Sequence, residues 1–361
     1  MNKTSKIIIT GAAGLVGQNL VILLKQSGYS NLIAIDKHKE NNKIFRKINN
    51  VCPPWQSLDP QTPQSCLPKL GSEGMAAEDL SEGTARPEQA KRVEGLNSDI
   101  QLIEADLAEQ GAWEEAFNGA EAVIQLHAQI GAKEEEPFIR NNIEATKQVL
   151  AAIKKYQVPY LVHISSSVVI SVADDYYTNT KKEQEKLVAS SGITHCSLRP
   201  TLMFGWFDRK HIGWLSRFMQ KVPIFPVPGS GKYIRQPLYA LDFCRIIKKC
   251  LETQPQNKTY DIIGKEQMYY IDIIRALKKV QKLKTLIIRF PYPLFYLLLK
   301  LYALFDKNPP FTASQLKALC AGDIFKYFDW EKEFNLQATP FEKALQETFL
   351  DDKYSKYVLK F

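Results

Sequence analysis

A phenol and an ammonium stand four residues apart in Tyr177-Thr178-Asn179-Thr180-Lys181. Positions i and i+4 share one face of a helix. A neighbouring ammonium favours the phenolate, so such a tyrosine can serve as an acid or base near neutral pH. The same spacing also fits an ordinary surface pair. Its place in the chain adds weight: it follows an apolar run that ends in Ser165-Ser166-Ser167, whose hydroxyls can hydrogen-bond a substrate oxygen beside the phenol.

A second constellation opens the chain. Thr10-Gly11-Ala12-Ala13-Gly14-Leu15-Val16-Gly17 follows Ile7-Ile8-Ile9. Gly11 permits a tight turn, Gly14 lets backbone approach a pyrophosphate, and Gly17 lets the new helix lie close to a sheet. Leu15 and Val16 begin that helix, whose N-terminus offers free N–H groups and partial positive charge to phosphates. A second apolar run, Leu32-Ile33-Ala34-Ile35, closes on Asp36, at the distance where an acid meets an adenosine ribose.

These residues need a scaffold, and the pattern supplies one. Strand signals fall at 7–10, 31–36, 100–105, 122–126, 160–165 and 194–199. Helix signals fall between them at 14–27, 113–118, 138–156 and 178–190. Such alternation predicts an α/β fold, a doubly wound parallel sheet covered on both faces. Past Phe204 the rhythm weakens into helices and proline-rich loops, which predicts a smaller mixed lobe facing the carboxyl ends of the strands. The expected division is a dinucleotide-binding domain over 1–200 and a mostly helical substrate lobe over 201–361. Residues 49–91, rich in Pro, Gly, Ser, Gln and Glu, read as a disordered insertion between the second and third strands.

Bulk properties narrow the function classes. The 361 residues can bury a large core. The net charge of +8 is spread over lysine-rich helix faces with no compact basic block, which speaks against nucleic-acid binding. Six cysteines without a CxxC pair speak against structural zinc, or any metal site, and for a reducing compartment. Met1 to Lys6 is polar and shows no secretory signal, so a cytoplasmic location is expected. The apolar segment 290–305 carries Lys300 and two prolines and is shorter than a spanning helix of about 20 residues. It reads either as a helix over the substrate cleft or as a peripheral contact with a membrane surface.

Taken together, the chain resembles the short-chain dehydrogenase/reductase superfamily in its extended and atypical branches, the NAD-dependent epimerase/dehydratase family. The resemblance rests on the glycine turn, Asp36, Ala105-Asp106-Leu107, Val123 to Ala128, Asn142 with Thr146, His163 to Ser167, Tyr177 with Lys181, and Leu198-Arg199-Pro200. It implies a Rossmann-type fold and the following roles. Gly11, Gly14 and Gly17 form the pyrophosphate turn, and Asp36 binds the adenosine ribose. A carboxylate there favours NAD over NADP, although Lys37 and His38 next door pull the other way. Asp106 and Leu107 match the adenine-contacting pair, Leu126, His127 and Ala128 the strand end beside the nicotinamide ribose, and Pro200 the strand before the nicotinamide amide loop. Tyr177 would be the acid/base, Lys181 would hold the ribose, and Ser167, or Ser166 one register earlier, would polarise the substrate oxygen. His127 stands where a small residue is usual; it reads as a structural histidine or as a substrate contact.

The implied activity is hydride transfer at a secondary alcohol or ketone of a small molecule, with a nucleotide sugar as the first candidate. Two other readings stay open. The short link from Ser167 to Tyr177, the segments 223–231 and 236–242, and Pro310 to Gln315 are similar to the atypical branch, which includes a non-catalytic NAD(P)H-holding subunit of respiratory complex I. The Tyr-Tyr-Thr-x-Thr-Lys wording is also similar to 3β-hydroxysteroid dehydrogenases, enzymes of lipid alcohols. Relatives often form homodimers.

Overall fold

Seven parallel strands organise the molecule: β1 (Ile7–Thr10), β2 (Asn31–Asp36), β3 (Asp99–Glu104), β4 (Ala122–Gln125), β5 (Leu161–Ile164), β6 (His195–Pro200) and a later strand, Lys258–Ile262. Numbering the intervening two-stranded contact Ile224–Pro228 as β7 makes Lys258–Ile262 β8, and the sheet order is β8-β6-β5-β4-β1-β2-β3. The computed structural model describes residues 1–49, 99–172, 174–305, 316, 317, 319, 320 and 324–360. Residues 50–91 of the expected insertion and the segment 310–315 lie outside the described residues.

The strands alternate their side chains between two apolar layers, as a period of two requires. Ile7, Ile9, Ala34, Ile124 and Val162 face α1 (Leu15–Gln26) and, further along the chain, the helix Ala240–Thr253. Ile8, Ile33, Ile35, Val123 and Leu161 face the opposite layer, which includes Val149, Ile153 and Val188. α2 (Lys39–Asn49) adds Phe45 to the first layer, and α3, a helical run over 136–155 whose middle turn, Ile139–Glu144, is π-wound, supplies Val149 and Ile153 to the second. Then follow α4 (Tyr176–Ala189), α5 (His211–Lys221), α6 (Ala240–Thr253), α7 (Tyr270–Val280), α8 (Tyr292–Phe305), α9 (Trp330–Phe334) and α10 (Phe341–Leu350). β9 (Leu286–Phe290) pairs in parallel with β7.

The division expected at residue 200 does not follow the sheet. β8 pairs with β6 from Lys258 through Ile262, and α6 packs Phe243, Ile246 and Ile247 into the same layer as α1. The chain thus leaves the sheet after β6 and returns to complete it. A second cluster around Phe204, Met219, Phe225, Ile274 and Leu345 forms the smaller mixed lobe. Among the described residues, no helix is long and apolar enough to cross a membrane.

Candidate active site

The carboxyl ends of β1, β2, β3, β4, β5 and β6 lie along one edge, and every site residue expected from the sequence lies at or just beyond such an end or at the start of α1 or α4. Parallel pairing sets this up. Ile9 is level with Ala34 and Ile124, so the three strands finish together.

At the end of β1 the chain turns sharply. Gly11 has φ +69°, and a Cβ there would lie 2.7 Å from the backbone nitrogen of His127. The Gly11 and Ala12 N–H groups donate to the Ile35 carbonyl, and Leu126 N–H donates to the Thr10 carbonyl. Those bonds hold the turn between β2 and the segment after β4. Gly17 meets Ala12, with 2.5 Å from its ideal Cβ to the Ala12 oxygen, so α1 rests directly on the turn. Gly14 caps α1 in extended backbone without a side-chain partner, and the first turn holds no acid. Leu15 and Val16 begin a helix whose N-terminus is thereby suited to an anion.

Asp36 is 6 % exposed. One carboxylate oxygen accepts from Ala13 N–H at 3.0 Å, and the other from His38 N–H at 2.9 Å, with the His38 ring 3.0 Å away. This acid therefore ties the glycine turn to β2. Lys37 points elsewhere, to Asp106 at 3.3 Å and Asn141 at 2.5 Å. Asp106 also accepts from Arg140 at 2.6 Å. Burial alone would raise the Asp106 carboxyl; the Arg140 and Ala108 hydrogen bonds and the Lys37 charge override it and hold the group below its usual range. Leu107 turns inward and joins the core with Ile35 and Trp113.

The end of β4 carries an engaged histidine. His127 Nδ1 lies 2.9 Å from Thr10 Oγ1, and burial, aided by the Lys181 charge, lowers its pKa to about 3. Its ring is neutral at ordinary pH. Beyond Ala128, Gln129 N–H donates to Asn142 Oδ1 at 2.7 Å, and Asn142 Nδ2 donates to Thr180 Oγ1 at 3.0 Å. Asn142 sits in the π turn of α3, a geometry that often marks functional positions.

Under the end of β5 lies a buried polar layer. Lys181 is 1 % exposed, and Nζ donates to the Ile164 carbonyl at 2.9 Å and to Gln184 Oε1. Gln184 and Gln125 both donate to Thr146 Oγ1 at 2.7 Å. Burial brings the Lys181 pKa down to about 7, opposed by Glu185. Glu185 itself accepts from Ser165 Oγ at 2.5 Å and from Arg199. His163 is fully buried, and burial with the Lys181 charge keeps it well below the ordinary histidine pKa.

Tyr177 stands in the first turn of α4, which Asp175 caps by accepting from Thr178 N–H. Burial raises the phenol above its ordinary pKa, and a hydrogen bond with the Ser166 side chain works against that. Burial thus opposes the lowering expected from the i+4 lysine, whose Nζ is engaged with the Ile164 carbonyl and Gln184 Oε1. Both candidate serines are buried; Ser166 Oγ accepts from Val168 N–H and so caps the 3₁₀ turn that Ser167 begins. Pro200 closes β6 level with Ile262 of β8. Gln184, Glu185 and Arg140 were not singled out from the sequence. Glu185 had one signal there, its position four residues after Lys181.

The residues fit an adenine dinucleotide. The glycine turn leaves no room for a Cβ at Gly11 or Gly17, the α1 N-terminus is uncapped, and an acid closes β2. A model of the family described as the NAD dependent epimerase/dehydratase family matches residues 7–263. Among solved structures, the fold is similar to that of the dTDP-glucose 4,6-dehydratase DesIV from Streptomyces venezuelae, with 14% identity, a TM-score of 0.65 and 95% of each chain covered. It is similar to a UDP-glucuronic acid 4-epimerase from Bacillus cereus solved in complex with NAD, at 20% identity and a TM-score of 0.61 over 95% of this chain and 97% of that one. A UDP-glucose 4-epimerase from Thermotoga maritima, solved with UDP-glucose, aligns at 17% identity and a TM-score of 0.62 over 95% and 97% of the two chains. The search of curated protein sequences found no match. The family match spans most of the chain and all of the turn, acid and tyrosine positions, and the protein belongs to the NAD dependent epimerase/dehydratase family.

Proposed function

We propose that the protein oxidises and reduces a secondary alcohol of a nucleotide sugar, with Tyr177 as acid and base. The observation that carries this reading is the placement of Tyr177, in the first turn of α4, beside the serine turn that follows β5, on the same edge as the glycine turn and Asp36. Gly11, Gly14 and Gly17, with the Leu15 and Val16 N–H groups, would hold the pyrophosphate. Asp36 uses three acceptor positions within the protein; a carboxylate has about four, which leaves one for a ribose hydroxyl. Lys37, committed to Asp106 and Asn141, does not offer its charge to a 2′-phosphate, which supports NAD over NADP.

Bound NAD supplies the hydride acceptor. Ser166 Oγ orients the substrate hydroxyl, and Tyr177 removes its proton while the carbon-bound hydrogen departs with its electron pair. Return of hydride and proton to the opposite face gives an epimer; loss of water from the ketone gives a dehydratase. Lys181 has three N–H donors, two of them committed to Ile164 and Gln184, and the third can meet the nicotinamide ribose. Residues 201–239 together with α7 and α10 form the lobe that selects the sugar. The similar structures act on UDP- and dTDP-linked sugars by name, a UDP-glucose 4-epimerase and a dTDP-glucose 4,6-dehydratase, and this supports the class.

The test is Tyr177→Phe, assayed with a panel of UDP- and dTDP-sugars while NAD uptake is followed by calorimetry. Turnover falls by about 100-fold or more, in line with the loss of a general base, and NAD affinity stays within about threefold. A Phe variant that turns over at the parent rate refutes the assignment.

A further inference from the structure

Helix α8 is apolar nearly all round, with Lys300 its one charged residue, and it leaves its leucines in solvent. A surface helix normally turns its apolar stripe toward the core and polar side chains toward water. Here Leu294, Leu297, Leu298, Leu301 and Phe305 follow the i, i+3, i+4, i+7, i+11 pattern of one face, and all five are exposed, from 45 % at Leu294 to 89 % at Phe305. None of the helix's residues is buried. The side chains of Tyr292, Phe295, Tyr296 and Leu299, on the reverse face, are the half-covered ones. At the head of β9, Leu286 and its register partner Ile224 add a second exposed apolar pair.

The charge around this face has one sign. From residue 273 to 305 the chain carries Arg275, Lys278, Lys279, Lys282, Lys284, Arg289 and Lys300 and not one acidic residue. Arg275 and Lys279 are matched by Asp272 and Glu342. Lys282, Lys284 and Arg289 are exposed on the strand and turn that lead into α8. Lys300 sits on the flank of the leucine stripe, its Nζ 5.0 Å over the Tyr296 ring, where a long stem can lift its charge to a headgroup.

We propose that α8 docks in the plane of an anionic lipid bilayer, with the leucine stripe at the acyl boundary and Lys282, Lys284, Arg289 and Lys300 at the headgroups. The helix suits that pose. Its 14 residues span about 21 Å, too short to cross a hydrocarbon core of about 30 Å. A short apolar helix with Lys300 on its flank and Lys282, Lys284 and Arg289 in the segment leading into it offers both terms of interfacial binding, buried apolar area and attraction to anionic lipid. The uncompensated charge argues for this occupant over a second copy of the chain, because a two-fold contact through the same patch would bring like charges together.

The experiment is co-sedimentation of the full chain with phosphatidylcholine vesicles, with and without phosphatidylglycerol. The parent pellets with the anionic vesicles, less so with the neutral ones, and added salt releases it. The exposed pair Leu297→Glu and Leu301→Glu weakens partition at least about tenfold. Lys282→Ala and Lys284→Ala weaken it roughly fivefold per charge removed. Unchanged melting of the variants shows that they fold; Leu297→Ser with Leu301→Ser serves in their place if the glutamates do not. A parent that stays in the supernatant with anionic vesicles overturns the proposal, as does equal binding to neutral vesicles. So does a dimer that the leucine variants dissociate in the absence of any vesicle binding, which makes a second copy the occupant. Slow reaction of Leu297→Cys with a water-soluble maleimide in lipid-free solution overturns it too, since the chain would then cover its own stripe.

Discussion

At the scale of single residues, Lys181 is the most instrumented group in the site. It is buried beside Ile164 and Gln184 with a pKa of about 7, against an ordinary value of 10.5. Below about pH 7 the folded and unfolded chains both carry the proton, and the folded state bears the full cost of a buried ammonium. Between about 7 and 10.5 the folded chain has released the proton and the unfolded chain has not, so the unfolded state binds more protons and stability rises with pH. Replacing the lysine by methionine removes the cost. Lys181→Met should therefore exceed the parent in unfolding free energy, measured by urea titration, at about pH 6 by an amount on the order of a few kcal/mol, and lose most of that lead by about pH 10. A lead that is constant across this range contradicts the buried, titrating ammonium. The same residue shows a limit of sequence reading. The spacing to Tyr177 was visible, but the partner of Nζ was not, because Gln184 is anchored through Thr146, 38 residues away in the chain.

Elements explain which parts of the fold were legible. β1, β2, β4, β5 and β6 are apolar runs bounded by turn signals, and each lies within a residue or two of its expected span. β8 was missed because Lys-Thr-Tyr-Asp-Ile is an edge strand, exposed at Lys258 and Thr259, and lacks the continuous apolar run of a buried one. α2 was missed because it buries Asn41 and Asn42 along with Phe45, so its inward face does not read as apolar. The glycine turn was legible in full, since its constraints are local. That locality can be tested. Gly17 has ordinary helical backbone, where alanine is favoured by about 1 kcal/mol over glycine. Its Cβ, however, would lie 2.5 Å from the Ala12 oxygen, which is backbone and cannot step aside. Gly28 has φ +85° and open space around its Cβ position. Gly17→Ala should thus lose at least about 2 kcal/mol and most NAD affinity, while Gly28→Ala loses only about 1 kcal/mol, the strain of a left-handed alanine. Equal losses in chemical denaturation would show that the α1 contact with the turn is looser than described.

For the whole molecule, the issue is what holds the sheet and the smaller lobe in register around the site edge. Residues 351–360 run back from α10 across both. Tyr354 is 6 % exposed, with its ring 4.5 Å from that of Trp206 and edge-on to Phe207. Leu359 joins the same cluster with Ile22 of α1, Val358 bridges to Phe207, and Lys360 N–H donates to Asn41 of α2. Trp206 in turn accepts from Asn19 of α1 and donates to the Glu347 carbonyl of α10. The site lies at the carboxyl ends of the strands, and the mutual position of the lobe and α1 fixes the gap between them, so this strap governs site geometry from a distance. Tyr354→Ala removes a buried aromatic ring and should cost about 3 kcal/mol, the lower range for such a deletion. In a chain of this size that corresponds to a fall of about 4 °C in melting temperature. A shift under about 2 °C would place the clamp between the two parts elsewhere, for instance in the α1–α6 layer, where Cys244 Sγ meets the Val16 carbonyl.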